Sequence, residues 1–213
     1  MNANELLKRY AAGERDFREA FLREAYLREA FLSHVCLTCA NLKEANLAGA
    51  DLSWANLIGA NLQNACLLMA ELSWAKLRGA NLTGARLTGA DMIQANLENA
   101  NLGDAKMIGV NLSGASLGGA NLMEANLIGA FLEETNLEKA NLAEVKLRGA
   151  SLKQANLKGA FLCEANLQGA DLRDADLRET NLSGAFLCGA NMTGARLEGA
   201  ILSGSIQFCV RRL

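Results

Sequence analysis

Leucine recurs at every fifth position through most of this chain, with alanine two places before it. The stretch from Asn41 to Ala60 reads NLKEANLAGADLSWANLIGA. Each unit is Ala, then usually Asn or Asp, then Leu, then two variable residues, the second often Gly. The register holds without insertion or deletion from Phe17 to Leu202, which gives 38 central positions. All are Leu except Phe17, Met92, Met107 and Met192. The small position, from Ala20 to Ala200, is Ala except at Val35, Val110, Thr135, Val145 and Thr180.

A period of five excludes both regular elements. An α-helix turns about 100° per residue, so a five-residue step scatters the leucines around the cylinder. A straight strand alternates faces, so an odd period throws successive leucines to opposite sides. A short extended segment followed by a turn in every unit keeps Ala and Leu inward together. All but three of the 20 glycines sit two residues after the central Leu, as at Gly49, Gly59 and Gly79. A type II turn favours Gly there because its third position needs φ > 0. Alternating large and small inward residues lets neighbouring layers interdigitate.

This A(D/N)LXX rule resembles the pentapeptide-repeat family over residues 17–202. The resemblance implies an all-β fold, a right-handed quadrilateral β-solenoid with four units per coil. On that count the repeat makes about 9.5 coils and a rod about 45 Å long, at about 4.8 Å per coil. The N-terminal sequence followed by repeats also resembles cyanobacterial members.

The ends depart from the rule. Residues 1–14 lie outside the repeat, with Asn2 and Glu5 at capping-box spacing and Ala3, Leu6, Leu7 and Tyr10 on one helical face. Gly13 offers a stop. A short helix over residues 1–14 is expected to cap the open first coil, since a solenoid end exposes core and strand edge. Residues 15–34 keep the period but also contain Glu19–Arg23 and Glu24–Arg28, good i, i+4 helix pairs. Repeat is preferred there, which turns Phe21, Tyr26 and Phe31 outward as an apolar belt. The solenoid is expected over 15–205, with a C-terminal tail at 206–213. Gln207 replaces a central Leu, and Ile206, Phe208 and Val210 follow with no helix-length cap.

Composition adds little chemistry. The formal net charge of −2 predicts neither a nucleic-acid binder nor a strongly acidic mimic. Six Cys without repeated spacing read as free thiols in a reducing compartment. Pro is absent, as expected where nearly every N–H joins a ladder. No apolar run approaches the length of a membrane span, and no signal-peptide pattern opens the chain. A cytoplasmic protein with no membrane partner is expected.

Twenty residues per coil convert the sequence into stacked columns. Asn41, Asn61, Asn81, Asn101, Asn121 and Asn141 form one, expected to be a structural ladder. His34, Trp54 and Trp74 form another, either a stacked corner or an exposed docking anchor. Ala48, Leu68, Thr88, Ile108 and Ile128 form a third, beside Gly49, Met69, Gly89, Gly109 and Gly129. That side reads as flat and apolar, bordered by Arg86, Lys106 and Lys146, and an apolar stripe more often marks a contact. Asp104, Glu124, Glu144 and Glu164 stack as well, most simply as a solvated face.

No catalytic constellation emerges. Cys36-x-x-Cys39 with His34 lacks the converging fourth ligand that zinc needs. A single His excludes His-based triads in practice. No phosphate-binding Gly motif opens a helix, and a convex rod offers its carboxylates no cleft. No cofactor or metal is expected. The reading is a non-enzymatic interaction scaffold, binding an unidentified protein partner or itself. The candidate contacts are Leu68, Met69, Ile108, Ile128, Trp54 and Trp74 along the side, and Ile206 and Phe208 at the C-terminal end, where a homodimer could close. The alternative, implied by the resemblance, is a DNA-mimic binder that inhibits or protects DNA gyrase.

Overall fold

The computed structural model describes residues 1–206. Parallel bridges join each residue before a central Leu to the one 20 positions later, from Asp16–Cys36 through Phe186–Ile206. Four five-residue sides therefore make one coil, and the chain is a right-handed quadrilateral β-solenoid. We number the sides from residue 16: the first face starts at Asp16, the second at Phe21, the third at Tyr26 and the fourth at Phe31, each returning every 20 residues.

Every pentapeptide uses its backbone in the same way. In the unit at Asn41, the Asn41 N–H donates to Ala20 O at 2.9 Å and Leu42 N–H to Asn61 O at 2.7 Å. Glu44 N–H donates to Gln63 O at 2.9 Å, while Ala45 N–H closes the turn on Leu42 O at 3.0 Å. Only the N–H after the Leu lacks a backbone acceptor. The side chain two residues earlier supplies one: Lys43 N–H donates to Asn41 Oδ1 at 3.2 Å, and Ser53 N–H to Asp51 Oδ1 at 2.9 Å. This Asx-type bond explains why Asn or Asp precedes Leu in most units.

The core is a stack of Leu and Ala sealed from solvent along the rod, continuous from Leu6 to Met192. Thr135 and Thr180 take the small inward position at full burial. Each hydroxyl donates to a turn carbonyl one coil below, Leu112 O and Leu157 O respectively, at 2.8 Å. Without those acceptors a buried hydroxyl would be strongly destabilising.

The turns have the left-handed corner that the glycines point to, and extend it well beyond glycine. All 38 corner positions have φ between 53° and 74°, but only 17 are Gly and 21 carry side chains. A left-handed non-Gly residue is strained by about 1–2 kcal/mol. Here the N–H of each corner donates to the coil above in most units, so the ladder holds the conformation.

The helix α1, Ala3–Ala11, closes the N-terminal end. Asn2 caps it, accepting from Glu5 N–H at 2.9 Å. Gly13, at φ 98°, ends it: its N–H donates to Tyr10 O and that of Glu14 to Arg9 O, the paired bonds of a Schellman stop. Leu6 is fully buried on the first coil, and Tyr10 Oη donates to Ser33 O at 2.8 Å. Residues 15–34 are solenoid, with bridges from Asp16, Phe21, Tyr26 and Phe31. Gln207, Phe208, Val210 and Leu213 lie outside the described residues.

Candidate functional site: an interaction face

The third face differs in charge from its neighbours. Over the described residues it carries five cations against one carboxylate, Glu29 in its first coil. From Asn46 to Gly189 its outward positions hold no Asp or Glu at all. The second face holds six carboxylates against two cations, and the fourth seven against two. The first face is balanced, seven against seven. A formal net charge near zero thus conceals a basic stripe between two acidic ones.

The sequence-predicted apolar stripe lies on this same face. Leu68, Ile108 and Ile128 occupy one column with Thr88, and Met69 stands at the corner beside it. Met69 is 67% exposed, Ile108 43% and Ile128 37%. Arg86, Lys106 and Lys146 form the adjacent column, and Arg148 continues the isoleucine column. All four cations are exposed, and none has an ion-pair partner among the described residues. Apart from Met69, the corner from Gly49 to Gly189 is entirely glycine, so nothing projects at that edge. At its lower end, Arg28, Glu29, Ala48, Gly49, Leu68 and Met69 line a groove of about 260 Å³.

Trp54 and Trp74 sit elsewhere, on the corner between the fourth and first faces. Their rings stack 5.0 Å apart and 5° from parallel, and His34 continues the stack 6.1 Å from Trp54. A groove of about 410 Å³ opens beside them, lined also by Ile58, Lys76, Arg78, Gln94, Asn96 and Glu98. The fourth face separates this corner from the isoleucine stripe, so the two candidate surfaces do not merge. Ile206, in contrast, bridges Phe186 on the third face and shares the side of Leu68, Ile108 and Ile128. The asparagine column occupies the second face, where Asn121 Nδ2 donates to Asn101 Oδ1 at 3.0 Å and Asn141 Nδ2 to Asn121 Oδ1 at 3.1 Å. Phe21, Tyr26 and Phe31 project outward on three successive faces at the capped end, at 64%, 66% and 79% exposure. Sequence reasoning from the total charge missed the segregation of charge by face; sorting residues by position within the coil would have found it.

Among the described residues no three or more His, Cys, Asp or Glu converge as a metal site. Cys36 lies on the first face, its Sγ 3.5 Å from Thr38 Oγ1, and Cys36, Cys39, Cys66 and Cys163 are free thiols. On the fourth face Asp51, Glu71 and Asp91 stack in consecutive coils. Desolvation, then the adjoining Asp91 and Asp51 carboxylates, pushes the Glu71 carboxyl above its usual range. Arg173 and Arg178 fork onto Asp171 and Asp176 and hold those carboxyls below theirs. No helix among the described residues is long and apolar enough to cross a membrane.

A family model described as pentapeptide repeats matches eight copies, over 14–42, 36–67, 70–107, 105–143, 146–184 and 170–206. The chain belongs to this family. Its fold is similar to the crystal structure of HetL, a pentapeptide-repeat protein involved in heterocyst differentiation regulation from the cyanobacterium Nostoc sp. strain PCC 7120. The two are 38% identical with a TM-score of 0.79, covering 96% of this chain and 94% of HetL. QnrB1, a plasmid-mediated fluoroquinolone resistance protein, shares the fold at 20% identity and a TM-score of 0.63, over 76% of this chain and 90% of its own. No curated protein matches the chain.

Proposed function

We propose that this pentapeptide-repeat protein is a non-enzymatic cytoplasmic scaffold that binds a protein partner through its third face. One observation carries the reading: a flat side presents exposed Met69, Ile108 and Ile128 together with four uncompensated cations, and no carboxylate from Asn46 to Gly189. Outward isoleucines contribute nothing to the core of a solenoid, and a contiguous apolar patch rimmed by polar groups is the usual mark of a contact surface. The likeness to HetL, involved in heterocyst differentiation regulation, supports a regulatory scaffold. The DNA-mimic alternative is less well supported. The carboxylates spread over the first, second and fourth faces, balanced by cations on the first and interrupted by the basic third face, and the likeness to QnrB1 extends to the fold alone.

The test is affinity capture from the native host with three baits. Wild type and a Trp54→Ala/Trp74→Ala variant are expected to retain the same partner, and an Ile108→Asp/Ile128→Asp variant to lose it. Loss only with the tryptophan variant would move the contact to the other corner. Equal capture by all three would dispose of both surfaces.

A further inference from the structure

The third face is too narrow and too regular to accept any acidic partner equally well. We propose that it docks an acidic amphipathic α-helix laid nearly parallel to the rod; this rests on the reading of that face as the docking surface.

Backbone chemistry disfavours an added strand. Along this side most N–H groups and the carbonyls they meet are already used between coils, as where Arg86 N–H donates to Ala65 O at 2.9 Å and Leu87 N–H to Lys106 O at 2.7 Å. A peptide strand needs a row of free donors and acceptors, which a solenoid offers at its ends. The side must therefore be read through side chains. Coils repeat at about 4.8 Å, while side chains on one side of an extended strand repeat at about 6.8 Å, which fits poorly. An α-helix repeats every turn at about 5.4 Å, so laid along the rod it slips by only about 0.6 Å per coil and under about 2 Å over three coils, which long Arg and Lys side chains absorb.

Charge and width complete the match. The apolar column of Leu68, Ile108 and Ile128 would face the apolar strip of the helix. Arg86, Lys106 and Lys146 occupy coils one, two and four of the neighbouring column, with Asn126 at the third. Carboxylates about one turn and three turns apart on the helix flank meet them, a spacing near i, i+4 and i+11. The glycine corner lets the helix backbone lie close on the opposite edge. Asp104, Glu124 and Glu144 stand at the corner bordering the lysine column, and the fourth face is acidic on the far side. Three outward positions span about 10 Å, close to the diameter of a helix. A nucleic-acid duplex is wider and would overhang both acidic borders.

The experiment uses fluorescence anisotropy with the full chain and a labelled helical peptide of about 18 residues, Leu on one strip and Glu at i, i+4 and i+11. Controls are the same peptide with Lys for Glu, one with the Glu positions moved to the opposite side, one interrupted by two prolines, and a duplex of about 20 base pairs. Expected are saturable binding of the first peptide, at least tenfold weakening with Lys106→Glu/Lys146→Glu, and a similar loss with each peptide control. Equal binding of the proline-interrupted or Glu-shifted peptide would overturn the helix, as would tighter binding of the duplex. No peptide binding up to ~100 µM would overturn it too. In any of those cases the docking face itself survives if Ile108→Asp/Ile128→Asp still abolishes capture of the native partner, and falls with it if capture is unchanged.

Discussion

The Trp54 indole lies one coil below that of Trp74, with ring centroids 5.0 Å apart and planes 5° from parallel. Both residues have left-handed backbones, φ 61° and 62°, at positions that other coils fill with glycine. Stacking of this kind contributes about 0.5–1.5 kcal/mol, which is similar to the strain of a side chain at φ > 0. Trp74→Gly should therefore leave the melting free energy within about 1 kcal/mol of the parent. It should also abolish the coupled near-ultraviolet circular dichroism of the pair, which holds every tryptophan of the chain. A loss of several kcal/mol would mean that Trp74 contributes packing beyond the stack.

Mid-rod packing gives a sharper expectation. Leu117 is fully buried, and Ala115, at 1% exposure, faces neighbours above and below. Leu117→Ala should lower stability by about 2–5 kcal/mol through lost burial and the cavity left behind. Ala115→Phe should also destabilise, because the coil above and the coil below fix the space. Chemical denaturation read by far-ultraviolet circular dichroism checks both. Parent-like midpoints would contradict the inward assignment.

The core was legible because a period of five leaves the two residues Ala and Leu only one way to stay together. Even the departures, Thr135 and Thr180, fall at inward positions, but their carbonyl partners depend on where the coil below places Leu112 and Leu157. The asparagine preference was legible as a column and not as a cause. The bond from Lys43 N–H to Asn41 Oδ1 appears only when the one backbone N–H without a ladder acceptor is known. Glycine marked the left-handed corner, but that corners such as Glu44 and Trp54 adopt it without glycine was not legible, because the ladder holds φ there. Of the candidate site, the stripe of Leu68, Ile108 and Ile128 was visible as a column. The basic character of its whole face was hidden, since opposite charges on other faces cancel in the total.

The acidic stack on the fourth face sets a pH dependence of definite sign. Asp51 Oδ1 accepts from Ser53 N–H, and Asp91 Oδ1 from Ile93 N–H and Ser73 Oγ. Glu71 between them is raised by desolvation first and by the two neighbouring carboxylates second. A raised carboxyl means that the folded state binds more protons than the unfolded one, so ionisation of Glu71 opposes folding. Its favourable contribution is full below the ordinary carboxylate pKa and is lost as pH rises through the elevated folded value. Glu71→Gln should therefore melt higher than the parent at about pH 7, with the advantage vanishing near about pH 3–4. Asp171 and Asp176, lowered by their arginine forks, act in the opposite sense and lose stability on acidification. A Gln variant that gains nothing at neutral pH would show that the stack is solvated without strain.

Self-association tests how the third face and the C-terminal end divide their roles. Two third faces set against each other would oppose Arg86, Lys106 and Lys146 to the same cations of a second copy, in a closed two-fold contact where a patch meets itself. Like charges across such an interface are unfavourable, and the face's own outward positions from Asn46 to Gly189 hold no carboxylate to relieve them. Stacking end to end adds backbone pairing to apolar contact. Ile201 and Ile206, 48% and 42% exposed, lie in the last described coil. We therefore expect any homodimer to form end to end, and Ile206→Asp to convert it to monomer in multi-angle light scattering. Ile108→Asp should leave the dimer intact. If Ile108→Asp is the substitution that yields monomer, the charge argument fails and the third face is a self-association surface. A parent that is monomeric at high concentration removes the end-to-end contact and leaves the third face to a different protein.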